Sequence, residues 1–360
     1  MIIGASWEQV SLINTAKKMG CYILVTSAVE ASEGIDLADE HAIVDPRDLT
    51  KLLEVANNFN PDGITSDACD YSHFAAVYLS IRLGLTNDGL AGAQNTTNKL
   101  WMRQKCQKAH ILQPRFFSCR TIEDAIKAVE LIGWPVIVKP VDNRGAFGIN
   151  VANSEDELKD AFLNALINSH SRDVIVEAYV EGTHITVDGC VDQDGIHHNL
   201  AIASKEIIPG EKPIIVQVDY PAQIAEETID YVMSVNNEVI EALEITNGLT
   251  HSEYILDNKG RCFLVETANR GGGVLTSAYI VPEMSGVDLS KLLINNAIGK
   301  GFLIHKAPFN GNVILKFFVF KLGTIFEIKG IKEVNKINNV KHLKLFVKPG
   351  DKLEKPQSGV

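Results

Sequence analysis

The sequence predicts a mixed α/β and α+β protein: a Rossmann-like first domain, an α+β second domain and a small β-rich lobe at the C-terminal end. Over the first ~90 of 360 residues, short apolar runs alternate with amphipathic segments of helix length, which is typical of βαβ units. From residue 95 the pattern becomes a mixture of helices and strands, and lysine-rich apolar runs follow residue 306. We therefore expect domains at 1–95, 96–305 and 306–360.

Each element has a local signal. In the first domain, apolar runs predict strands at 2–3, 22–26, 41–44 and 63–65, and amphipathic segments predict helices at 8–19 and 49–58. The glycine after the first strand is the lone Gly4 rather than a GxGxxG motif, which favours a tight turn over dinucleotide binding.

The second domain is expected to begin with a polar helix at 97–109. Strands follow at 136–139 and 174–177, and capping residues at Thr121 and Ser154 open two helices. A long helix at 224–243 precedes a β-hairpin around the turn at 257–260. The final lobe ends without a closing element, so we expect it to be truncated.

Composition excludes several classes of function. The formal net charge is −11 and no dense block of lysine or arginine is present, so nucleic acid is not expected as a partner. Six scattered cysteines without a CxxC motif suit a reducing compartment and argue against a zinc site or disulfides. No apolar run approaches the ~20 residues of a membrane helix, so we expect a cytoplasmic protein without a membrane partner.

Two acidic residues flank the predicted hairpin. A short loop would put Glu253 and Glu266 on one sheet face, directly opposite or one diagonal step apart. Carboxylates that close disfavour joint ionisation, so a shared site implies a proton, a cationic side chain or a hard cation. Oxygen ligands without nearby thiols favour Mg²⁺. A solvated hairpin with exposed glutamates is the alternative.

Two further segments suggest a nucleotide site. Lys139 ends an apolar strand before a glycine-bearing loop, where a phosphate would be a natural partner for its ammonium group. Glu177 ends another strand before a short apolar segment into which an adenine ring would fit. The alternatives are a surface hairpin with a snorkelling lysine and an ordinary strand with a charged end.

Taken in order, the motifs resemble one superfamily. They are Asn98-Lys99, Val-Ile-Val-Lys139-Pro, Asn-Arg-Gly-Ala-Phe-Gly148, Val-Glu177-Ala-Tyr-Val-Glu-Gly182, His251-Ser-Glu253 and Val-Glu266-Thr-Ala-Asn269-Arg270-Gly-Gly. This order and spacing resembles the ATP-grasp superfamily, of the carboxylate-amine ligase type, over roughly residues 1–300. The last lobe is similar to the C-terminal piece of bacterial L-amino-acid ligases, and carbamoyl-phosphate synthetase, biotin carboxylase and D-alanine–D-alanine ligase share the core.

The resemblance implies a role for each matched residue. The ATP-binding set would be Lys99, Lys139, Gly145, Ala146, Gly148, Glu177, Tyr179, Val180 and His184. The lysines would contact phosphates under the glycine loop, and the glutamate would accept from the adenine amine, with the backbone of the hinge completing adenine recognition. The segment 114–175 would close as a lid. In this chain His184 stands where the superfamily usually carries a ribose-binding glutamate.

The resemblance also implies a metal site and a catalytic pair. Glu253, Glu266 and Asn269 would hold one or two Mg²⁺ ions, which Mn²⁺ could replace, although the usual asparagine position is Ala268 in this chain. Arg270 and Lys139 would neutralise charge on the transferred phosphoryl group.

The implied reaction joins a small-molecule carboxylate to an amine through an acyl-phosphate, with release of ADP. The alternatives are an ATP-grasp enzyme that uses bicarbonate or formate and a non-catalytic ATP-binding protein. Specificity would come from loops of the first domain and from 201–222, which includes Lys205, Glu206 and Asp219. The sequence does not set the oligomeric state, and a homodimer is compatible with it.

Overall fold

The computed structural model describes residues 1–143, 145, 147–208, 214–307, 309–320 and 322–353. The first domain is built on a parallel sheet, as predicted. Its strands lie in the order β1 (Ile2–Ile3), β2 (Leu24–Ser27), β3 (Glu40–Ile43). Helices α1 (Val10–Lys18), α2 (Leu49–Phe59) and α3 (Asp70–Arg82) complete it.

The strand order reverses beside β1. The predicted strand at 63–65 is reduced to a single parallel bridge between Ile2 and Thr65, on the side of β1 away from β2. Thr65 and β1 therefore lie at one edge of the sheet, and β2 and then β3 follow on the other side of β1. In open α/β sheets, ligands bind at the carboxyl ends of strands where the order reverses in this way.

Two helices lead into the lid segment, α4 (Leu90–Thr97) and α5 (Lys99–Lys108). The lid is an antiparallel sheet in the order β4-β7-β5-β6 with helices α6 and α7 packed on it. The bounds are β4 (Phe116–Cys119), α6 (Ile122–Ile132), β5 (Val136–Pro140), β6 (Asn150–Ala152), α7 (Glu155–Ile167) and β7 (Val174–Ala178). The predicted capping box of α6 is present, between Thr121 and Asp124.

The larger sheet carries the strands of the predicted hairpin. Within the described residues its order is β12-β11-β8-β9-β10-β13, and helix α8 (Glu226–Ala242) covers one face with an apolar core. The strands are β8 (Thr183–Val191), β9 (His197–Ile208), β10 (Ile214–Tyr220), β11 (Gly248–Leu256), β12 (Cys262–Ala268) and β13 (Val313–Lys316). Because β13 pairs with β10, the central sheet crosses the expected boundary at residue 306.

The elements that follow β12 lead the chain back to the first domain. A π-helical turn (Thr276–Ile280), α9 (Val281–Ser285) and α10 (Leu289–Ala297) follow β12, and α10 shares an apolar core with α1. The last described residues form β14 (Gly323–Thr324), α11 (Ile331–Val334) and β15 (Lys352–Leu353). β14 and β15 contain two residues each, so they form less β-structure than the strand-rich lobe that the sequence predicts.

Candidate active site

The hairpin register places the two predicted glutamates face to face. Glu253 of β11 pairs directly with Glu266 of β12, which confirms the prediction that they share a sheet face. The register then shifts, so that Tyr254 pairs with Leu264 and Val265 is an extra residue on β12. The side chains of Glu253 and Glu266 are 34% and 38% exposed, so both carboxylates reach open space.

Each glutamate is neutralised by a lysine from a distant element. Lys205 Nζ lies 2.6 Å from Glu253 Oε1, and Lys99 Nζ lies 2.8 Å from Glu266 Oε1. Burial opposes ionisation of Glu253, but Lys205 and His251 outweigh burial and hold its pKa well below the usual range. Glu253 therefore stays ionised opposite Glu266.

Sequence reasoning quoted His251 in a motif without giving it a role. His251 pairs with Ala268 across the hairpin, on the same face as the glutamates. Its Nδ1 lies 2.7 Å from Asp188 Oδ1, its Nε2 lies 3.6 Å from Glu253 Oε1, and the Tyr220 hydroxyl donates to Asp188 Oδ2 at 2.9 Å. Burial lowers the pKa of His251, but Asp188 outweighs burial and raises it to about 9.

Asn269 lies apart from the glutamates, which differs from the expectation that it completes the metal set. Side chains alternate between faces along a strand, so Ala268 shares the face of Glu266 and Asn269 turns away. Asn269 is 1% exposed, and its Nδ2 donates to Asn247 O at 3.1 Å and to Leu249 O at 3.0 Å.

Arg270 lies on the side of the first domain. Its guanidinium group contacts the Asp70 carboxylate, with Nε 3.1 Å from Oδ1 and Nη2 3.2 Å from Oδ2. Burial opposes the charge, but Asp70 and then Glu266 outweigh burial and raise the pKa of Arg270 above its ordinary value. Arg270 is therefore a fixed cation beside Glu266.

Lys139 and Glu177 form a buried ion pair with Arg103, which sequence reasoning missed. Lys139 Nζ is 2.7 Å from Glu177 Oε2, and Arg103 Nε is 2.7 Å from Glu177 Oε1. Burial raises the pKa of Glu177, but the two cations outweigh burial and lower it to about 2. Arg103 also donates from Nη2 to Val265 O at 2.8 Å, which joins the lid to the hairpin bulge. In the sequence, Arg103 could have been found from its position four residues after Lys99, because residues four apart lie on the same face of a helix.

The hinge after β7 presents backbone groups. The Tyr179 amide donates to Pro135 O at 3.2 Å, whereas the Val180 amide has no hydrogen bond within the described part of the chain. His184 lies among the charged groups of the site: burial lowers its pKa, Glu253 raises it, and Lys205 and Lys139 lower it further. The structure thus brings His184 to the same region as the glutamates.

The glycine loop lies next to Lys99. Gly145 and Gly148 have φ angles of +64° and +76°, in the left-handed region that favours glycine. Lys99 Nζ donates to Asn143 O at 2.8 Å, so one ammonium group joins this loop to Glu266. Ala146, which was expected to contact phosphate, lies outside the described residues.

Comparisons with known proteins identify the domain that carries these residues. A family model for the ATP-grasp domain matches residues 132–278, which include the hinge, the hairpin and Arg270. Residues 132–278 are an ATP-grasp domain. The fold class and superfamily predicted from the sequence are confirmed.

Several ligases are similar to this chain in sequence or in fold. This chain is 24% identical over 338 residues to the L-arginine-specific L-amino acid ligase of Bacillus subtilis, and the alignment covers 89% of this chain and 79% of that protein. It is 23% identical over 221 residues to the D-alanine–D-alanine ligase of Geotalea uraniireducens, which covers 58% of this chain and 67% of that one. The crystal structure of an L-amino acid ligase from Bacillus licheniformis shares the fold, with a TM-score of 0.85, 22% identity and coverage of 99% and 89%.

The part of the chain that the structure describes holds no group of three or more His, Cys, Asp or Glu side chains that could bind a metal ion. Among the same residues, no helix combines the length and apolar character needed to cross a membrane.

Proposed function

We propose that this ATP-grasp protein joins a carboxylate to an amine, with ATP and Mg²⁺, through an acyl-phosphate and with release of ADP and phosphate. The single observation that carries this proposal is the direct pairing of Glu253 with Glu266 inside a ring of fixed cations. Lys99, Lys205 and Arg270 reach the pair from three separate elements. Such a ring suits a ligand that carries several negative charges.

The two glutamates fit a divalent cation. Mg²⁺ is usually held by one or two carboxylates, with waters and substrate phosphate oxygens as the other ligands, so a set of two protein carboxylates is sufficient. We assign Glu253 and Glu266 to the metal and leave Asn269 out, because strand alternation turns its side chain to the face opposite Glu266, where its Nδ2 donates to two backbone carbonyls. Bound there, Mg²⁺ would neutralise phosphate charge.

The lid and hinge suit the rest of the nucleotide. The Val180 amide, which has no partner among the described residues, can donate to an adenine ring nitrogen, whereas that of Tyr179 is already paired. Glu177 has both oxygens engaged by Arg103 and Lys139, so we give it the role of positioning Lys139 rather than that of binding the adenine amine. Lys139 and Lys99 would contact the phosphates, and the glycine loop would fold over them.

Positioning supplies much of the chemistry. A carboxylate is a weak nucleophile, so it must be held in line with the terminal phosphoryl group of ATP. Arg270 is fixed by Asp70 and lies beside Glu266, where it would stabilise negative charge on the transferred group and on the acyl-phosphate. Closure of the lid, residues 114–175, would exclude water and protect the acyl-phosphate from hydrolysis.

The names of the relatives favour amino acids as substrates. The Bacillus subtilis relative and the Bacillus licheniformis crystal structure are both named L-amino acid ligases. A third relative is named D-alanine–D-alanine ligase. We propose that an amino acid supplies the carboxylate and that an amino acid or a related amine accepts the acyl group.

ADP release tests the proposal. The protein is mixed with ATP, Mg²⁺ and pairs of amino acids, and we expect ADP to form only when both a carboxylate and an amine are present. Lys139→Ala and Glu266→Gln should each abolish this activity. The matched controls Lys127→Ala and Glu123→Gln, exposed on α6, should leave it unchanged.

Two results would count against the assignment. Full activity in either active-site variant would remove Lys139 or Glu266 from the site. ADP release that needs bicarbonate or formate instead of an amino acid would replace the proposed substrates, and ATP binding without any turnover would favour a non-catalytic protein.

A further inference from the structure

The first domain touches the lid at the start of the glycine loop. The Tyr71 hydroxyl, from the first turn of α3, donates to the backbone carbonyl of Asp142 at 2.6 Å, and this bond is partly buried. Asp142 follows β5 and begins the glycine loop. A hydrogen bond that is shielded from water is stronger than one at an open surface. Tyr71 therefore fixes the start of this loop against the first domain.

Asp142 belongs to a closely bonded part of the lid. Its carboxylate accepts from the Ser169 hydroxyl at 2.8 Å, from the His170 amide at 3.1 Å and from the Ser171 amide at 2.7 Å. The side-chain amide of Asn143 donates to the same turn, between α7 and β7. Hydrogen bonds thus join the start of the glycine loop to the body of the lid, so a contact that holds one of them also holds the other.

A second contact from the first domain reaches the same turn. Arg47, between β3 and α2, has its Nη1 2.9 Å from His170 Nε2, and its guanidinium carbon lies 5.7 Å from the centroid of the Tyr71 ring. The rings of Tyr71 and His170 meet edge to face at 6.0 Å. Two hydrogen bonds to Asp45, of 2.9 and 2.6 Å, orient Arg47. Arginine has no acceptor, so it is the donor to His170.

The residue before Tyr71 holds the proposed catalytic arginine. Asp70 pairs with Arg270, which would meet the acyl-phosphate, and Tyr71 holds the loop that would cover the phosphates. Lys99 bonds the same loop from α5, through Asn143 O at 2.8 Å. Two consecutive residues of α3 therefore connect the arginine on one side of the reacting group with the loop on the other.

We propose that Tyr71 is a positioning residue that holds the lid closed while the acyl-phosphate exists, with Arg47 as a weaker second contact. The chemical consequence rests on the proposed function, whereas the contact between lid and first domain does not. If the lid opens early, water enters and attacks the acyl carbon. A C–O bond to water forms as the acyl C–O bond to phosphate breaks, and the proton passes to solvent. The free carboxylate and phosphate are then released, and ADP has formed without an amide.

The same helix supplies a matched control. Arg82 Nη1 donates to the Tyr78 hydroxyl at 3.0 Å, and the Arg82 guanidinium carbon lies 5.9 Å from the Tyr78 ring, so this pair is bonded within α3. We compare Tyr71→Phe and Arg47→Ala with Tyr78→Phe and Arg82→Ala. Tyrosine to phenylalanine removes one hydroxyl group and keeps the ring, so both tyrosine variants should fold.

The ratio of ADP to ligated product tests the chemical consequence. For Tyr71→Phe we expect this ratio to rise about 3- to 10-fold, as for the loss of one hydrogen bond. Arg47→Ala should raise it by less than about threefold, because the Arg47 side chain is 48% exposed. The two control variants should keep the wild-type ratio. A loss of folded protein lowers both products equally, so an unchanged ratio in Tyr71→Phe would overturn the positioning role and leave the proposed function standing.

A distance measurement decides the contact without turnover. Spin labels are attached at Lys51→Cys on α2 and Lys127→Cys on α6, both exposed, in a Cys21→Ser background, since the other five cysteines are buried. Electron spin resonance then gives the distribution of distances between first domain and lid, with Mg²⁺ and ADP present. In Tyr71→Phe the population at longer distance should rise about 3- to 10-fold, and in Tyr78→Phe it should match wild type.

The distance measurement also separates the two proposals. If no pair of amino acids releases ADP, the proposed function fails, and the distances alone decide whether Tyr71 holds the lid. Identical distributions in wild type and Tyr71→Phe overturn the inference, and so does an equal shift in Tyr71→Phe and Tyr78→Phe, which would show a general loosening of α3.

Discussion

The Lys139 ammonium group lies 2.7 Å from the Glu177 carboxylate, at a place where both side chains are almost fully buried. Arg103 holds the second oxygen of Glu177 at 2.7 Å, so one carboxylate fixes two cations from different elements. The lysine that we expect to meet phosphate is therefore oriented before a nucleotide binds. Such preorganisation lowers the entropy cost of binding.

Removal of the Glu177 charge should destabilise the fold. In Glu177→Gln, Arg103 and Lys139 would be left buried without an anion, which typically costs about 3–5 kcal/mol. Urea unfolding followed by tryptophan fluorescence measures this change. Glu181→Gln, at the exposed end of the hinge, should change the free energy of unfolding by less than about 0.5 kcal/mol. Similar values for the two variants would contradict a buried pair.

The same carboxylate should make stability depend on pH. The pKa of Glu177 is lowered from 4.5 to about 2, so its contribution is fully present above about pH 4.5 and is lost as the pH falls through about 2. The difference in unfolding free energy between wild type and Glu177→Gln should therefore be constant from pH 5 to 7 and should shrink below pH 4.5. A constant difference down to pH 2.5 would argue against the lowered pKa.

Substitutions at Asn269 and at Glu266 should differ in their effects on stability and on Mg²⁺ binding. Asn269→Ala removes hydrogen bonds to Asn247 O and Leu249 O, so we expect it to lose about 1–3 kcal/mol of stability. Its half-saturating Mg²⁺ concentration in ADP release should stay within about threefold of wild type. Glu266→Asp, measured in the same assay, should raise that concentration at least tenfold. A comparable increase in Asn269→Ala would return Asn269 to the metal set.

Asp188 should keep His251 protonated at neutral pH. The pKa of His251 is about 9, above its ordinary value of 6.5, because the Asp188 carboxylate outweighs burial. The stabilisation from this pair is therefore fully present below about pH 6.5 and is lost as the pH rises through about 9. In Asp188→Asn, the imidazole resonances of His251 should titrate below pH 7 in NMR spectra. If they titrate at the same pH as in the wild type, a group other than Asp188 raises the pKa of His251.

Local sequence signals predicted the elements that form the site. The turn at 257–260 between two apolar runs fixed a hairpin, and strand alternation placed Glu253 and Glu266 on one face, as the structure shows. Capping residues located the starts of α6 and α7. These features depend on neighbours in the chain, which a sequence pattern records directly.

The partners of those residues depend on the tertiary fold. Lys205 is 48 residues from Glu253 and reaches it only because β8 lies between β9 and β11 in the sheet. Arg103 is 74 residues from Glu177 and reaches it from α5, which packs against α8 and β12. The local pattern around either residue is an ordinary polar segment and carries no signal of the distant carboxylate.

The sequence by itself determined the superfamily, the order of the elements and the shared face of Glu253 and Glu266, because periodicity and turn chemistry act within a few residues. Only the tertiary structure decided that Glu177 pairs with Lys139 and Arg103, that Asn269 turns away from the glutamates, and that Asp70 holds Arg270. The physical reason is that the partners of a buried polar group are set by distances through space, and residues tens to hundreds of positions apart in the sequence supply them.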